Sequence, residues 1–349
     1  MKKSSLQNLI SWSNQHYSDL PWRKNRSLYK TLVSEIMLQQ TTVGTVLNHF
    51  ERFLKIYPKL SDLAKASEEE VCISWKGLGY YRRAKNLRNL AIQIEKLYKG
   101  NIPTELNQLM ELKGIGPYTA NALIAIGANK RGLAVDANLE RVLARFYGLK
   151  TPKGIKLQKE LSLAFFNKNI LKEIESLGAR NTNEALMDLG RVICQARKAS
   201  CSLCPLSQEC EAYKNGKPED FPFGEKTKKA VEHELHLLRI VVREKSKMLF
   251  YQKQDSEWLA GQWELPTFIL YSTDKKLLQY PALKWKKSYE SLPHLKTSIT
   301  KYAITNFILE LTAKEFDQLI KEKNHFYFKQ VNENLNLSTA SIKVIKKIS

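Results

Sequence analysis

The sequence predicts a multidomain chain in which an all-α part is followed by a smaller α+β part. Two patterns predict it. Over residues 4–213 the apolar positions recur at three- and four-residue spacings, with breaks near Gly77, Gly100, Gly114, Gly127 and Gly148, as in a series of short helices. Residues 236–243 and 248–251 are instead β-branched and aromatic runs, and residues 299–304 alternate, as in strands of a sheet. Between the two parts, residues 215–234 carry Gly216, Pro218, Pro222, Gly224 and lysines 226, 228 and 229, which is the composition of a linker. No internal repeat is present.

With 349 residues, 43% of them hydrophobic, the chain can build two or more ordinary packed cores. Lysine and arginine number 56 against 35 aspartates and glutamates, a formal charge of +21 that suits a polyanionic partner, nucleic acid first. A protein that is basic throughout for solubility would show the same balance. Near the start, Leu6, Leu9, Ile10 and Trp12 are helically spaced and do not form the apolar run of a secretory signal. No stretch reaches the ~20 uninterrupted apolar residues of a membrane span, so we expect no membrane association and an intracellular, reducing compartment.

Three local patterns carry chemistry. Residues 112–120 read Leu-Lys-Gly-Ile-Gly-Pro-Tyr-Thr-Ala. Gly114 and Gly116 permit a tight turn and close backbone approach to a ligand, and a helix expected to begin at Thr119 offers free N–H groups to a phosphate. Any tight turn ahead of a helix could carry the same residues. Asp136 precedes the apolar series Leu139, Val142, Leu143 and Phe146, where an N-cap belongs; capping alone would account for it, and the N–H bonds of a cap also stabilise the carboxylate form. Glu35 lies among Leu28, Leu32, Val33, Ile36 and Met37 and borders the buried face of that helix. Burial would keep a proton on it, as a general acid requires, whereas a glutamate at the helix's surface edge would have no such role.

Cys194, Cys201, Cys204 and Cys210 follow a Cys-x6-Cys-x2-Cys-x5-Cys spacing. In a reducing compartment four such thiols point to a structural zinc site or a [4Fe–4S] cluster rather than to disulfides. Cys72 stands alone in an apolar pattern and reads as a small core residue.

Hairpin, aspartate and cysteine quartet, in this order, resemble the endonuclease-III-like superfamily of helix-hairpin-helix DNA glycosylases. Within it, Leu20-Pro21-Trp22-Arg23, Ser34-Glu35-Ile36-Met37-Leu38-Gln39-Gln40-Thr41, Gly77-Leu78-Gly79-Tyr80-Tyr81 and Asn183-Glu184-Ala185-Leu186-Met187-Asp188-Leu189-Gly190 are similar to the MutY family of adenine DNA glycosylases. Weaker similarity continues through Trp258-Leu259-Ala260-Gly261-Gln262-Trp263-Glu264-Leu265-Pro266, which resembles the start of that family's Nudix-like recognition domain. No acidic hydrolase box follows, and we expect no pyrophosphatase activity.

The resemblance implies an all-α helix-hairpin-helix glycosylase core with an iron–sulfur cluster loop and a C-terminal α+β Nudix-like domain. The implied division is a six-helix domain at 25–129, a cluster domain formed by 1–24 and 130–214, the linker at 215–234 and lesion recognition at 235–349. It implies a monofunctional enzyme that flips out adenine opposite 8-oxoguanine or guanine in duplex DNA and leaves an abasic site. Glu35 is the implied acid, Asp136 the carboxylate that stays ionised beside the cationic sugar, and Asn138 its neighbour in an Asp-x-Asn pattern. Tyr118 stands where strand-cutting relatives carry a lysine for Schiff-base chemistry, and a tyrosine has no amine for that. Gln40 and Tyr80 match the wedge positions, while Trp22, Arg23, Leu38 and Glu184 match the adenine pocket. Gly114, Gly116 and Thr119 face the DNA backbone, and the four cysteines hold the [4Fe–4S] cluster. Where the family presents Phe-Ser-His to the lesion, this chain has Ile299, Thr300 and Lys301, and only a hydroxyl remains. We expect a monomer, cytoplasmic and nucleoid-associated in a cell of bacterial type. The alternatives are an endonuclease-III-like glycosylase and lyase for oxidised pyrimidines, and a non-catalytic DNA-binding iron–sulfur protein.

Overall fold

The computed structural model describes all residues except 168–169, 223–231, 255, 286–287, 322–324, 333–334 and 349, together with the side chains of 165–167. Gly224 and lysines 226, 228 and 229 of the expected linker therefore lie outside the described residues. The chain divides into two compact units, Met1–Leu78 with Arg83–Lys226, and Gly79–Arg82 with Thr227–Ser349.

The first unit is helical. Its helices are α1 (Lys3–Tyr17), α2 (Leu28–Leu38), α3 (Val43–Ile56), α4 (Leu60–Lys65), α5 (Glu68–Ser74), α6 (Arg82–Tyr98), α7 (Leu106–Glu111), α8 (Pro117–Ala122), α9 (Ala137–Tyr147), α10 (Ile155–Asn167), α11 (Ile170–Leu177), α12 (Ala179–Asp188) and α13 (Glu211–Lys214). Local signals set several starts. Ser27, Thr42, Ser67 and Asp136 each accept a backbone N–H from the first turn of the helix they precede, which satisfies donors that the helix itself leaves unpaired. Gly148 ends α9 in the left-handed conformation that glycine adopts without a Cβ clash. Both α8 and α12 run on into single π-helical turns, Leu123–Gly127 and Leu189–Ile193, which the periodicity did not disclose. One core gathers Leu9 of α1 with Leu139, Val142, Leu143 and Phe146 of α9 and Leu186 and Leu189 beyond them.

The second unit is a sheet with two helices. Among the described residues its strands are β1 (His233–Glu244), β2 (Lys247–Gln252), β3 (Trp263–Glu264), β4 (Thr267–Ser272), β5 (His294–Ile299), β6 (Tyr302–Leu311) and β7 (Phe326–Gln330), with α14 (Ala313–Leu319) between β6 and β7 and α15 (Thr339–Ile348) after β7. The central path runs β3-β2-β1-β6-β5, with β4 paired to β1 and β7 to β2. The long β1 and β6 are parallel, pairing His233 with Tyr302 through Val242 with Leu311, while β5 and β6 form an antiparallel hairpin closed at Ile299 and Tyr302. Residues 299–304 are thus two strand ends with a turn at Thr300 and Lys301, not one continuous strand, because Thr300 has φ 48° and reverses the chain.

A charged cluster is sealed inside this unit. Arg239 and Glu264 are 2% and 0% exposed, and the guanidinium donates to Glu264 Oε1 at 2.7 Å, to Thr267 Oγ1 at 3.1 Å and to Asn306 Oδ1 at 2.6 Å. Lys253 Nζ lies 3.5 Å from Glu264 Oε2 and 3.9 Å from the centre of the Tyr280 ring. Every buried charge here has an opposite or π-rich neighbour, which offsets the loss of water. Among the described residues no helix is long and apolar enough to cross a membrane.

Candidate active site

The burial of Leu32, Val33, Ile36 and Met37 carries Glu35 into the interior along with its helix α2, and the glutamate is 6% exposed. Burial pushes its carboxyl up from 4.5 to about 7. A hydrogen bond from Tyr118 opposes that rise, and the negative charges of Asp136 and Glu184 add to it. Tyr118, in the first turn of α8, donates its hydroxyl to Glu35 Oε2 at 2.6 Å. Burial and this carboxylate in turn keep the phenol protonated.

Asp136 is the N-cap of α9, as its position ahead of Leu139 implies. Its Oδ1 accepts the N–H groups of Asn138 at 2.9 Å and Leu139 at 2.7 Å, and Asn138 Nδ2 donates to Oδ2 at 2.9 Å. Asn138 is itself held, since its Oδ1 accepts from Arg141 at 3.0 Å. The approach to Asp136 is fixed by a residue without an assigned role in the motif reading. Asn183, fully buried in α12, accepts the N–H of Ala134 at 2.8 Å and donates to Gly132 O at 3.0 Å.

These groups share one cleft of about 930 Å³, lined by Glu35, Tyr118, Asp136 and Asn138 and also by Trp22, Arg23, Leu38, Gln40 and Glu184. Trp22 packs edge-on against Phe50 with ring centres 5.7 Å apart, which leaves another face of the indole for the cleft. Glu184 is tied by two arginines, Arg26 at 2.5 Å and Arg23 at 3.6 Å. Arg23 also pairs with Asp188 at 2.9 Å, and Asp188 accepts from Ser13 at 2.6 Å and Arg191 at 3.2 Å. Arg26 escaped the motif reading because its partner Glu184 lies 158 positions away, and Asp188, although inside the quoted motif, received no role because its partner Arg23 lies 165 positions away.

The remaining expected positions divide among the cleft edge, the hairpin and the second unit. Gln40 is exposed at the cleft edge with φ 54°. Tyr80, 60% exposed with φ 48°, and Thr300, exposed at the β5–β6 turn, belong to the second unit. In the hairpin, Gly114 has φ 102°, and Gln93 of α6 grips the neighbouring Lys113 by accepting its N–H at 3.0 Å and donating to its carbonyl at 3.3 Å. The helix begins at Pro117 after an N-cap at Gly116, two residues earlier than expected. Thr119 is 3% exposed, so its hydroxyl is withdrawn from the surface. A Cβ added at Gly116 would meet no protein atom within 4 Å.

The four cysteines come together. Cys194, Cys201, Cys204 and Cys210 all line one small cavity between α9, the second π turn and residues 201–218. Arg145 of α9 is 2% exposed there and donates to Cys194 Sγ at 3.4 Å and to Gln195 O at 2.7 Å. Burial pushes the Cys201, Cys204 and Cys210 thiols up, Cys204 to about 12, and the neighbouring sulfurs add to each rise. Among the described residues no group of three or more His, Cys, Asp or Glu side chains is placed to hold a metal ion. Cys72 is buried elsewhere, with its thiol pushed up to about 11.

Residues 33–165 match the model of the HhH-GPD superfamily of base excision DNA repair proteins. The chain is 35% identical over 254 residues to an adenine DNA glycosylase of Buchnera aphidicola subsp. Acyrthosiphon pisum, covering 71% of this chain and 69% of the relative. Over 300 residues it is 30% identical to the adenine DNA glycosylase of Buchnera aphidicola subsp. Schizaphis graminum, covering 84% and 81%. The chain belongs to the adenine DNA glycosylase family. Like other adenine DNA glycosylases it is a base-excision repair enzyme, with a helix-hairpin-helix core and a C-terminal α+β sheet domain. A solved thermostable thymine-DNA glycosylase is similar over 61% of this chain and 96% of its own, with TM-score 0.51 and 30% identity. That likeness covers less of the chain than the likeness to either Buchnera enzyme does.

Proposed function

We propose that this enzyme flips adenine out of mispairs with 8-oxoguanine or guanine in duplex DNA and hydrolyses its bond to deoxyribose, leaving an abasic site. One observation carries the reading: Glu35 is buried, bonded to Tyr118 and pushed up to about 7, in the same cleft as Asp136. A departing purine needs a donor, and the cationic sugar left behind needs an anion, so two carboxyl groups in different states divide the work. The bond from sugar to base breaks with its electron pair leaving on adenine, which takes the Glu35 proton. Asp136 faces the positive sugar, held by its three N–H donors. Water then adds to the sugar carbon, and its surplus proton restores the Glu35 carboxyl. Tyr118 orients Glu35 through their 2.6 Å contact. With tyrosine at this place there is no amine for a Schiff base, which favours base removal alone.

Adenine enters between Trp22 and Leu38, with Glu184 and Arg23 on the polar side, after Gln40 and Tyr80 help to displace it from the stack. The backbone N–H groups near Gly114, Gly116 and Thr119 hold phosphate. Thr300, presented at a hairpin apex, reads the edge of the opposite base, and the sheet unit serves as a Nudix-like recognition domain after the linker at 215–234. Cys194, Cys201, Cys204 and Cys210 would hold a [4Fe–4S] cluster, whose bound role is to cross-link this segment through thiolate ligands. What supports this is the chemistry of the donors, since four half-buried cysteines line one cavity and thiolates are the ligands such a cluster takes.

The test is adenine release from duplexes with 8-oxoguanine, guanine or cytosine opposite. We expect alkali-labile abasic sites with the first two and far fewer with cytosine. No abasic site with either mispair overturns the reading, and a covalent adduct trapped by borohydride would replace it with a lyase mechanism.

A further inference from the structure

We propose that Arg83 is a positioning residue for adenine extrusion, because its one guanidinium grips the residues on both sides of Gln40, Gln39 by its carbonyl and Thr41 by its hydroxyl. The inference rests on the proposed release of adenine. Arg83 is 9% exposed on α6, with its guanidinium 5.6 Å from the centre of the Trp75 ring. Nη1 donates to Ile36 O at 3.0 Å and Met37 O at 2.9 Å, and also to Gln39 O. Nη2 donates to Thr41 Oγ1 at 2.8 Å and Leu78 O at 3.0 Å.

The first two carbonyls belong to the end of α2, the helix that bears Glu35 and Leu38. A helix end leaves such carbonyls unpaired, and a cation suits the negative end of the helix dipole. Satisfying them is a structural task. The bonds to Gln39 and Thr41 go further. Between these residues Gln40 takes φ 54°, a conformation that a residue with a Cβ leaves unless its neighbours are held. Gln39 and Thr41 are its neighbours on either side, and Arg83 grips both. Residues 39–41 all line the cleft, and Gln40 is the exposed one. The clamp thus keeps the side chain at position 40 aimed before DNA arrives, so that base displacement does not bear the cost of ordering the loop.

The consequence distinguishes extrusion from chemistry. A mispaired adenine must be unstacked and unpaired, whereas an adenine bulged out of the duplex is already largely displaced. The whole chain is assayed in single turnover on adenine opposite 8-oxoguanine and on bulged adenine. Arg83→Lys keeps the charge and loses the fork, and we expect release from the mispair to fall about tenfold while release from the bulge stays within about twofold. If Arg83 acts through the Gln40 loop, Gln40→Ala lowers the same ratio, and the Arg83→Lys/Gln40→Ala double variant lowers it no further. Thr41→Val removes one arm of the clamp and moves the ratio the same way by less, which keeps the test open if Arg83→Lys does not fold. Equal losses on the two substrates, or additive losses in the double variant, overturn the inference. If the unaltered enzyme releases adenine from neither duplex, the proposed function fails first and this inference falls with it.

Discussion

Glu35 in the helical unit and Glu264 in the sheet unit are the same residue type, 6% and 0% exposed, yet they are held in opposite states. Burial would raise both. Around Glu264, Arg239 and Lys253 outweigh it and hold the carboxyl below its usual range. Around Glu35 there is one neutral donor, the Tyr118 hydroxyl, and two further negative charges, so burial prevails. Burial therefore does not by itself mark a chemical group, and the supply of positive partners decides whether a buried acid is a fastener or a proton reservoir.

The largest test of this contrast is Glu35→Gln, which keeps the shape and removes the transferable proton. Release of adenine should fall about 10²–10⁴-fold in single turnover, with mispair binding retained in a gel-shift titration. A drop below tenfold would remove the acid role. Next, Glu264→Gln leaves Arg239 buried without its anion, while Lys253 keeps Glu257 at 3.2 Å, and urea midpoints should report a loss of about 3–5 kcal/mol with little change in activity per folded molecule. If stability is unchanged, the sheet unit's charges do not depend on each other as their geometry implies.

The pH dependences should have opposite signs. Because the native Glu35 carboxyl is raised from 4.5 to about 7, its stabilising contribution is complete below 4.5 and is lost as pH rises towards 7. Measured against Glu35→Gln, the unaltered protein should lose about 3 kcal/mol across that window, and its turnover should decline above it. Glu264, lowered in the native state, contributes above its ordinary range and loses that contribution as pH falls through its native value. Parallel pH profiles for the two variants would break the comparison.

The smallest effects extend the same division to two glycines. Gly114→Ala meets only a side-chain carbon at 3.9 Å but must adopt φ 102°, and should cost about 1 kcal/mol or more in thermal unfolding. Gly116→Ala meets nothing and should leave stability within about 0.5 kcal/mol, while weakening duplex binding in a fluorescence titration.

What could be read beforehand follows from distance along the chain. The Asp136 cap, the α2 apolar face and the hairpin turn involve neighbours within a few residues, and propensity and periodicity report such relations directly. The order of a helical part followed by a sheet part is legible for the same reason. The Tyr118–Glu35 bond spans 83 positions, the Arg26–Glu184 pair 158 and the Arg239–Glu264 pair 25, and no local rule links such residues. Arg83 follows Tyr80, Tyr81 and Arg82 with no local signal of burial, and only packing reveals that it is buried. Likewise the helix start at Pro117 escaped a reading that placed it at Thr119, because proline fits the first helical position where its missing N–H is not needed.

The first helix of the chain has a consequence for biosynthesis. Leu9 packs into a core whose other buried members lie between residues 125 and 206, and Ser13 bonds Asp188, so the core around α1 is complete only when Leu206 has been made. At roughly 5–20 residues per second, a ribosome leaves that amphipathic segment waiting for about ten to forty seconds. Nascent copies should therefore engage holdase chaperones early, and a slowed codon stretch ahead of α12 should lower the soluble yield more than one placed after it.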